Sequence, residues 1–209
     1  MAPQKIVQET SSLPKRRIGV FGGTFDPIHI GHIDFACKCR DALALNTLIL
    51  VPTGGSFWKL PQMRATAQQR LEMCQMAVDD VLGLEVSDVE TFKTEQIFMA
   101  NTLKDLQKKY LNTEIFLLMG NDVASSLLKW YDWEYLRDNT TVVVAERCKQ
   151  NVSYRLKLTD AGIRWMHLDF TAAPISSTDI RSKLAAGEDV SDLINSKVYR
   201  YIQKHKLYT

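Results

Sequence analysis

The sequence predicts an α/β protein: a doubly wound, mostly parallel sheet with a small helical part towards the C-terminus. Three observations carry that expectation. Apolar runs such as "TVVVA" show no hydrophobic alternation, as expected of strands buried on both faces of a parallel sheet. Helix-period segments lie between those runs, the pattern of right-handed β–α–β crossovers. A glycine-rich segment follows the first run directly, in "IGVFGGTFDPIHIGH" from Ile18 to His32. Open parallel sheets bind ligands at that kind of place, beyond the carboxyl ends of their strands.

Taken in order, "RRIGVF" (Arg16 to Phe21) reads as the first strand and a helix follows from Ile30 to about Leu43. "TLILVP" (Thr47 to Pro52) is the second strand. Thr66 is suited to cap the next helix, in which Leu71, Cys74, Val78 and Val81 recur at three- and four-residue steps. A short strand is expected at "LEVSD" (Leu84 to Asp88), then a helix over Glu95 to Tyr110 with Met99, Leu103, Leu106 and Tyr110 on one face. "EIFLLMG" (Glu114 to Gly120), "TTVVVAE" (Thr140 to Glu146) and "IRWMHLDF" (Ile163 to Phe170) complete the strands. The polar stretch from Cys148 to Gly162 reads as a surface excursion. Residues 1–16 are expected to form a flexible extension and residues 17–209 a single domain.

The chain has 209 residues, 45% hydrophobic and 24% charged, which suits one α/β domain with an ample core. A net charge of +2 gives no broad field for nucleic acid or membranes, so basic residues must act locally on any phosphate. No apolar run approaches the roughly 20 residues that span a bilayer, and the first 16 residues lack the apolar stretch of a secretory signal. Cys37 and Cys39, two apart in an expected helix, do not share a face and make a poor metal pair. Together with Cys74 and Cys148 they read as reduced thiols in a cytosol-like compartment, cytoplasmic with a nuclear or organellar location left open. A homo-oligomer is left open too.

In the first motif, Gly22 and Gly23 are expected to let the backbone turn and approach an anion. A helix start near Ile30 favours negative charge, and His29 and His32 sit three apart on its first turn. Phosphate contact fits better than zinc, because no Cys, Asp or Glu completes a ligand set there. Further along, Ser176, Ser177 and Thr178 precede Arg181 in "ISSTDIR". Read alone, this segment is either a second anion site or a plainly capped helix. In "GNDVASSLLKWYDW", Gly120 and Asp122 follow a strand, where a carboxylate can accept from ribose hydroxyls. Trp130 and Tyr131 are flat rings that on composition alone would fill a core.

"GGTFDPIHIGH" resembles the signature of the nucleotidyltransferase superfamily, and its "GGTFDP" form resembles the nicotinate/nicotinamide mononucleotide adenylyltransferases. "ISSTDIR" is similar to that family's second signature, and "VYRYIQKHKLY" to its last helix. The resemblance runs from about Arg17 to Tyr208. It implies a Rossmann-like nucleotidyltransferase fold and adenylyl transfer from ATP to a pyridine mononucleotide in NAD biosynthesis, with Mg²⁺ accompanying ATP and no dedicated protein metal site. It further implies that Trp130 stacks on the pyridine ring, with the Tyr131 backbone, Met99 and Ala100 around it. Two segments depart from the family pattern. "GGSFWKLP" (Gly54 to Pro61) stands where bacterial relatives carry Pro-Pro-His-Lys, keeping Lys59 but placing Trp58 at the histidine. Phe98-Met99 replaces a common Tyr-Thr pair.

The expected reaction is in-line attack of the mononucleotide phosphate on the α-phosphorus of ATP. The nucleophile is already an anion, so catalysis rests on positioning and charge neutralisation. His32 is expected at the α-phosphate, and His29, Lys59 and Arg181 at the phosphate chain. Gly22, Gly23, Thr24, Phe25, Gly120, Asp122, Ile175, Ser176, Ser177 and Thr178 are expected to hold ATP. A phosphopantetheine adenylyltransferase would share the first motif but leaves "ISSTDIR" with "KWYDW" unexplained. A non-catalytic nucleotide sensor would have no need of His29, His32, Lys59 and Arg181 together.

Overall fold

The computed structural model describes residues 15–54, 63–93, 95–145, 153–170 and 174–209. Six strands form one all-parallel sheet: β1 (Arg16–Gly23), β2 (Thr47–Pro52), β3 (Leu84–Val86), β4 (Thr113–Gly120), β5 (Thr140–Ala145) and β6 (Trp165–Leu168). Their order is β3-β2-β1-β4-β5-β6. The chain winds outward from β1 to β3, then returns to the other side of β1 and winds out again. The boundary between β1 and β4 is therefore the topological switch point, where a crevice opens at the strand ends.

The helices are α1 (Ile30–Ala42), α2 (Ala67–Val78), α3 (Met99–Lys109), α4 (Asn121–Ala124), α5 (Trp133–Asn139), α6 (Ser153–Asp160), α7 (Ser177–Ala185) and α8 (Ser196–His205), with a 3₁₀ turn at Leu127–Lys129. Period-two alternation in the central strands feeds two separate cores. Phe21, Leu48, Leu50, Phe116, Leu118 and Val143 pack with Phe35 of α1, Met73 of α2, Ile180 of α7 and Val198 of α8. Ile18, Val20, Ile49, Leu117, Val142 and Val144 pack on the opposite face with Leu103 of α3, Leu136 of α5 and Leu158 of α6. Both faces are covered, which is why the strands read as unbroken apolar runs. Among the described residues no helix is long and apolar enough to cross a membrane.

Several expectations are corrected. The stretch Cys148 to Gly162 is not simply a surface excursion: α6 lies within it and buries Tyr154 and Leu158 completely. Two apolar residues four apart make a stripe too thin to stand out among Arg155, Lys157 and Asp160. The helix expected from Glu95 starts at Met99, because Phe98 is extended (φ −121°, ψ 143°) and serves as its N-cap. Gly22 and Gly23 do not turn the chain. They are the last two residues of β1, paired with Val51 and Pro52. The left-handed backbone of the loop falls on Phe25 (φ 49°). The extension expected over residues 1–16 lies outside the described residues as far as residue 14.

Candidate active site

A cavity of about 370 Å³ opens at the carboxyl ends of β1 and β4. Gly22 and Gly23 floor it from β1, Gly120 from β4, and Thr24 and Phe25 from the loop beyond β1. The glycines are there for space. A Cβ on Gly23 would stand 2.7 Å from the Phe25 ring, and one on Gly22 2.7 Å from the methyl of Met99, which also lines the cavity. Phe25 is 1% exposed and packs edge-on against Phe21 and against the ring of His32 (centroids 5.0 Å, 86°).

His29 is the extended N-cap of α1 (φ −140°, ψ 169°), and its backbone N–H donates to Nδ1 of His32 at 3.3 Å. With Nδ1 accepting, a neutral His32 carries its proton on Nε2. The two imidazoles stack, centroids 3.6 Å apart. His32 lines the cavity; His29 is 7% exposed and braces it.

The opposite wall comes from α7. Ser177, Thr178 and Arg181 line the cavity, whereas Ser176 caps the helix by accepting from the Asp179 N–H at 3.1 Å. Ile175 packs, partly buried, against the core beneath. Ser177 Oγ donates to the carbonyl of Pro27 at 2.9 Å, and Arg181 Nη1 to the carbonyl of Asp26 at 2.8 Å. The segment that alone read as either a second anion site or a plainly capped helix is thus joined to the first motif by two direct hydrogen bonds.

Trp130, Val123 and Asp122 close the third side beyond β4. Trp130 Nε1 donates to Ser126 Oγ at 3.3 Å. Tyr131 is not part of the cavity lining; it is 55% exposed, its ring stacked on Phe98 with centroids 4.5 Å apart. Ala100 is fully buried in α3 behind Met99. Lys59 and Trp58 lie outside the described residues. No group of three or more His, Cys, Asp or Glu side chains forms a metal cage among the described residues.

Sequence reasoning missed the supports. Asp26, 2% exposed, accepts at its carboxylate from the N–H groups of Arg64 (2.8 Å) and Ala65 (3.1 Å) and from the Tyr208 hydroxyl (2.7 Å). Burial and that neighbouring carboxylate push the Tyr208 phenol well up, so it stays protonated and donates. Arg70, 1% exposed, donates to the carbonyls of Thr24 (2.8 Å), Gly54 (3.2 Å) and Ala65 (3.4 Å). Burial pulls its pKa down, and the Asp26 carboxylate opposes that pull. The available signal was a cation beside Leu71 and Cys74 on an otherwise apolar helix face. Glu90, 4% exposed, accepts from Thr102 Oγ1 at 2.7 Å and from the Gly54 N–H at 3.3 Å.

Residues 20–183 match the cytidylyltransferase-like family. A protein of Albidiferax ferrireducens named "Probable nicotinate-nucleotide adenylyltransferase" is 33% identical over 195 residues, covering 92% of this chain and 98% of its own length. One of the same name from Borrelia garinii is 31% identical over 92% of this chain and 94% of its own. Among solved structures, Plasmodium falciparum nicotinic acid mononucleotide adenylyltransferase complexed with NaAD superposes with a TM-score of 0.76 at 19% identity, covering 92% of this chain and 97% of that one. Its complex with APC gives 0.74 at 18% identity. At such identities the structural likeness speaks for the fold.

Proposed function

This chain belongs to the cytidylyltransferase-like family, and from that premise we propose that it is a nicotinate-nucleotide adenylyltransferase. It transfers the adenylyl group of ATP to nicotinate mononucleotide, giving the dinucleotide and pyrophosphate, with residues 17–209 as the catalytic domain. One observation carries the reading: His32, from the start of α1, and Arg181, from α7, line the same cavity at the switch point, opposite Trp130.

A phosphate oxygen of the mononucleotide attacks the α-phosphorus of ATP. The bond from that phosphorus to the bridging oxygen of pyrophosphate breaks, and its electron pair leaves with pyrophosphate. No general base is required, because the attacking oxygen is already ionised. Nε2–H of His32 faces the α-phosphoryl oxygens and stabilises charge that builds there. Arg181 grips the β- and γ-phosphates with Thr178 beside it, and its bond to Asp26 fixes the guanidinium plane. His29 orients His32, and by the family resemblance Lys59 is assigned to the same phosphates. Asp122 and Gly120 hold ribose, Thr24 and Phe25 present backbone groups, and Trp130 stacks on the pyridine ring. Met99, Ala100 and the Tyr131 backbone complete that end.

Mg²⁺ enters as part of the substrate, MgATP. Of the two described carboxylates lining the cavity, Asp26 is already engaged by two N–H groups and a hydroxyl, so Asp122 and the substrate phosphates are the groups that would hold the ion. When bound, the ion neutralises phosphate charge.

The test is pyrophosphate release from ATP with nicotinate mononucleotide, nicotinamide mononucleotide or phosphopantetheine as acceptor. Turnover is expected with nicotinate mononucleotide. The nicotinamide form measures how far the Phe98-Met99 wall tolerates a neutral substituent. Turnover with phosphopantetheine alone would overturn the reading.

A further inference from the structure

After α8 the chain folds back on itself: Lys206 (φ 50°) and Tyr208 (φ 66°) are both left-handed. The reversal carries the Tyr208 ring to the loop beyond β1, 182 positions away, where its hydroxyl donates to Asp26 Oδ1 at 2.7 Å. Two backbone N–H groups, of Arg64 and Ala65, hold the same carboxylate. Tyr208 is thus the side-chain donor in that set, and it comes from a different part of the fold. Asp26 turns its other polar face, the backbone carbonyl, to Arg181 Nη1 at 2.8 Å. Tyr208 and Arg181 also share the wall of a second cavity of about 860 Å³, together with Arg64 and Thr178.

An arginine side chain has many rotamers, so where its fork points depends on how firmly its acceptor is held. We propose that Tyr208 is a positioning residue for adenylyl transfer: by holding the Asp26 carboxylate it fixes the carbonyl that aims Arg181 at the ATP phosphates. The proposal rests on the functional reading above. It assigns the segment after α8 a part in nucleotide affinity in addition to its packing.

The test is Tyr208→Phe, which keeps the ring and removes the hydroxyl. Affinity for a non-hydrolysable ATP analogue is measured by calorimetry, beside kcat and the KM of each substrate. The analogue's Kd and the KM for ATP are expected to rise roughly five- to tenfold, the scale of one ordinary hydrogen bond, because Tyr208 acts on Arg181 only through Asp26. The KM for nicotinate mononucleotide should stay within about twofold, and melting should remain cooperative. In an Arg181→Lys background the same substitution should change analogue affinity less than about twofold, because coupled groups do not add. Unchanged analogue affinity in Y208F, an equal loss in the R181K background, an equal rise in both KM values, or loss of cooperative melting would each overturn the proposal. If the unaltered protein releases no pyrophosphate with any pyridine mononucleotide, the functional reading fails, while the analogue titration still decides the role of Tyr208.

Discussion

Arg181 and Asp26, 155 positions apart, meet through a 2.8 Å hydrogen bond from guanidinium to backbone carbonyl. Together with the bond from Ser177 Oγ to the Pro27 carbonyl, it ties α7 to the loop beyond β1. Arg181→Ala removes both the cation and the tie, and kcat/KM for ATP should fall about 10²- to 10³-fold, the range for one preorganised donor. Arg181→Lys keeps the charge but not the fork and should recover only part of the loss. Steady-state kinetics with ATP varied at saturating acceptor checks both.

His32→Ala should lower turnover by about 10²- to 10³-fold with little change in either KM, because the interaction is strongest where charge develops. Single-turnover measurements separate this from slower product release. A normally folded variant with unchanged turnover would remove His32 from its assigned role.

Trp130→Ala should raise the KM for nicotinate mononucleotide about tenfold, since stacking on a base is worth about 1–3 kcal/mol. The KM for ATP should stay within about threefold. A comparable rise in both would place Trp130 among the structural residues instead.

Arg70→Met should destabilise the fold by about 3 kcal/mol or more, because a buried cation leaves and the carbonyls of Thr24, Gly54 and Ala65 lose their donor. Urea unfolding followed by circular dichroism measures it. Surviving folded protein should also bind ATP weakly, as Thr24 is no longer fixed.

Burial holds the Glu90 carboxyl above its ordinary 4.5, against the lowering effect of the Thr102 hydroxyl and the Gly54 N–H. The folded state therefore binds the proton more tightly than the unfolded chain. Glu90 contributes most to stability below its ordinary value, and that contribution is lost as pH rises through the raised one. The difference in melting temperature between the unaltered protein and Glu90→Gln should shift in favour of the glutamine variant as pH rises from about 4 to 7. A difference that does not change with pH would show that Glu90 titrates normally.

The sheet was legible because its strands are covered on both faces, so "TLILVP" and "TVVVA" could be little else. The cavity lining was legible where residue type meets position: His32 lies in the first turn of α1, Arg181 lies near the start of α7, and Trp130 follows the short helical segments after β4. Local signals misled where tertiary contacts decide. Gly22 and Gly23 look like a turn, yet their missing Cβ atoms make room for Phe25 and Met99 while the backbone stays extended. The left-handed backbone falls instead on Phe25, whose buried ring packs edge-on against Phe21 and His32. Nothing in the local sequence singles out Asp26, which simply precedes Pro27. Its role as a junction depends on Arg64, Tyr208 and Arg181, and no local pattern brings those together.

The order of strands and helices also bears on synthesis. A nascent chain that has emerged only through β6 holds all six described strands with His29 and His32, but not yet α7 and Arg181. If Arg181 grips the triphosphate as proposed, an unfinished polypeptide that ends before α7 would hold ATP poorly although its sheet is complete.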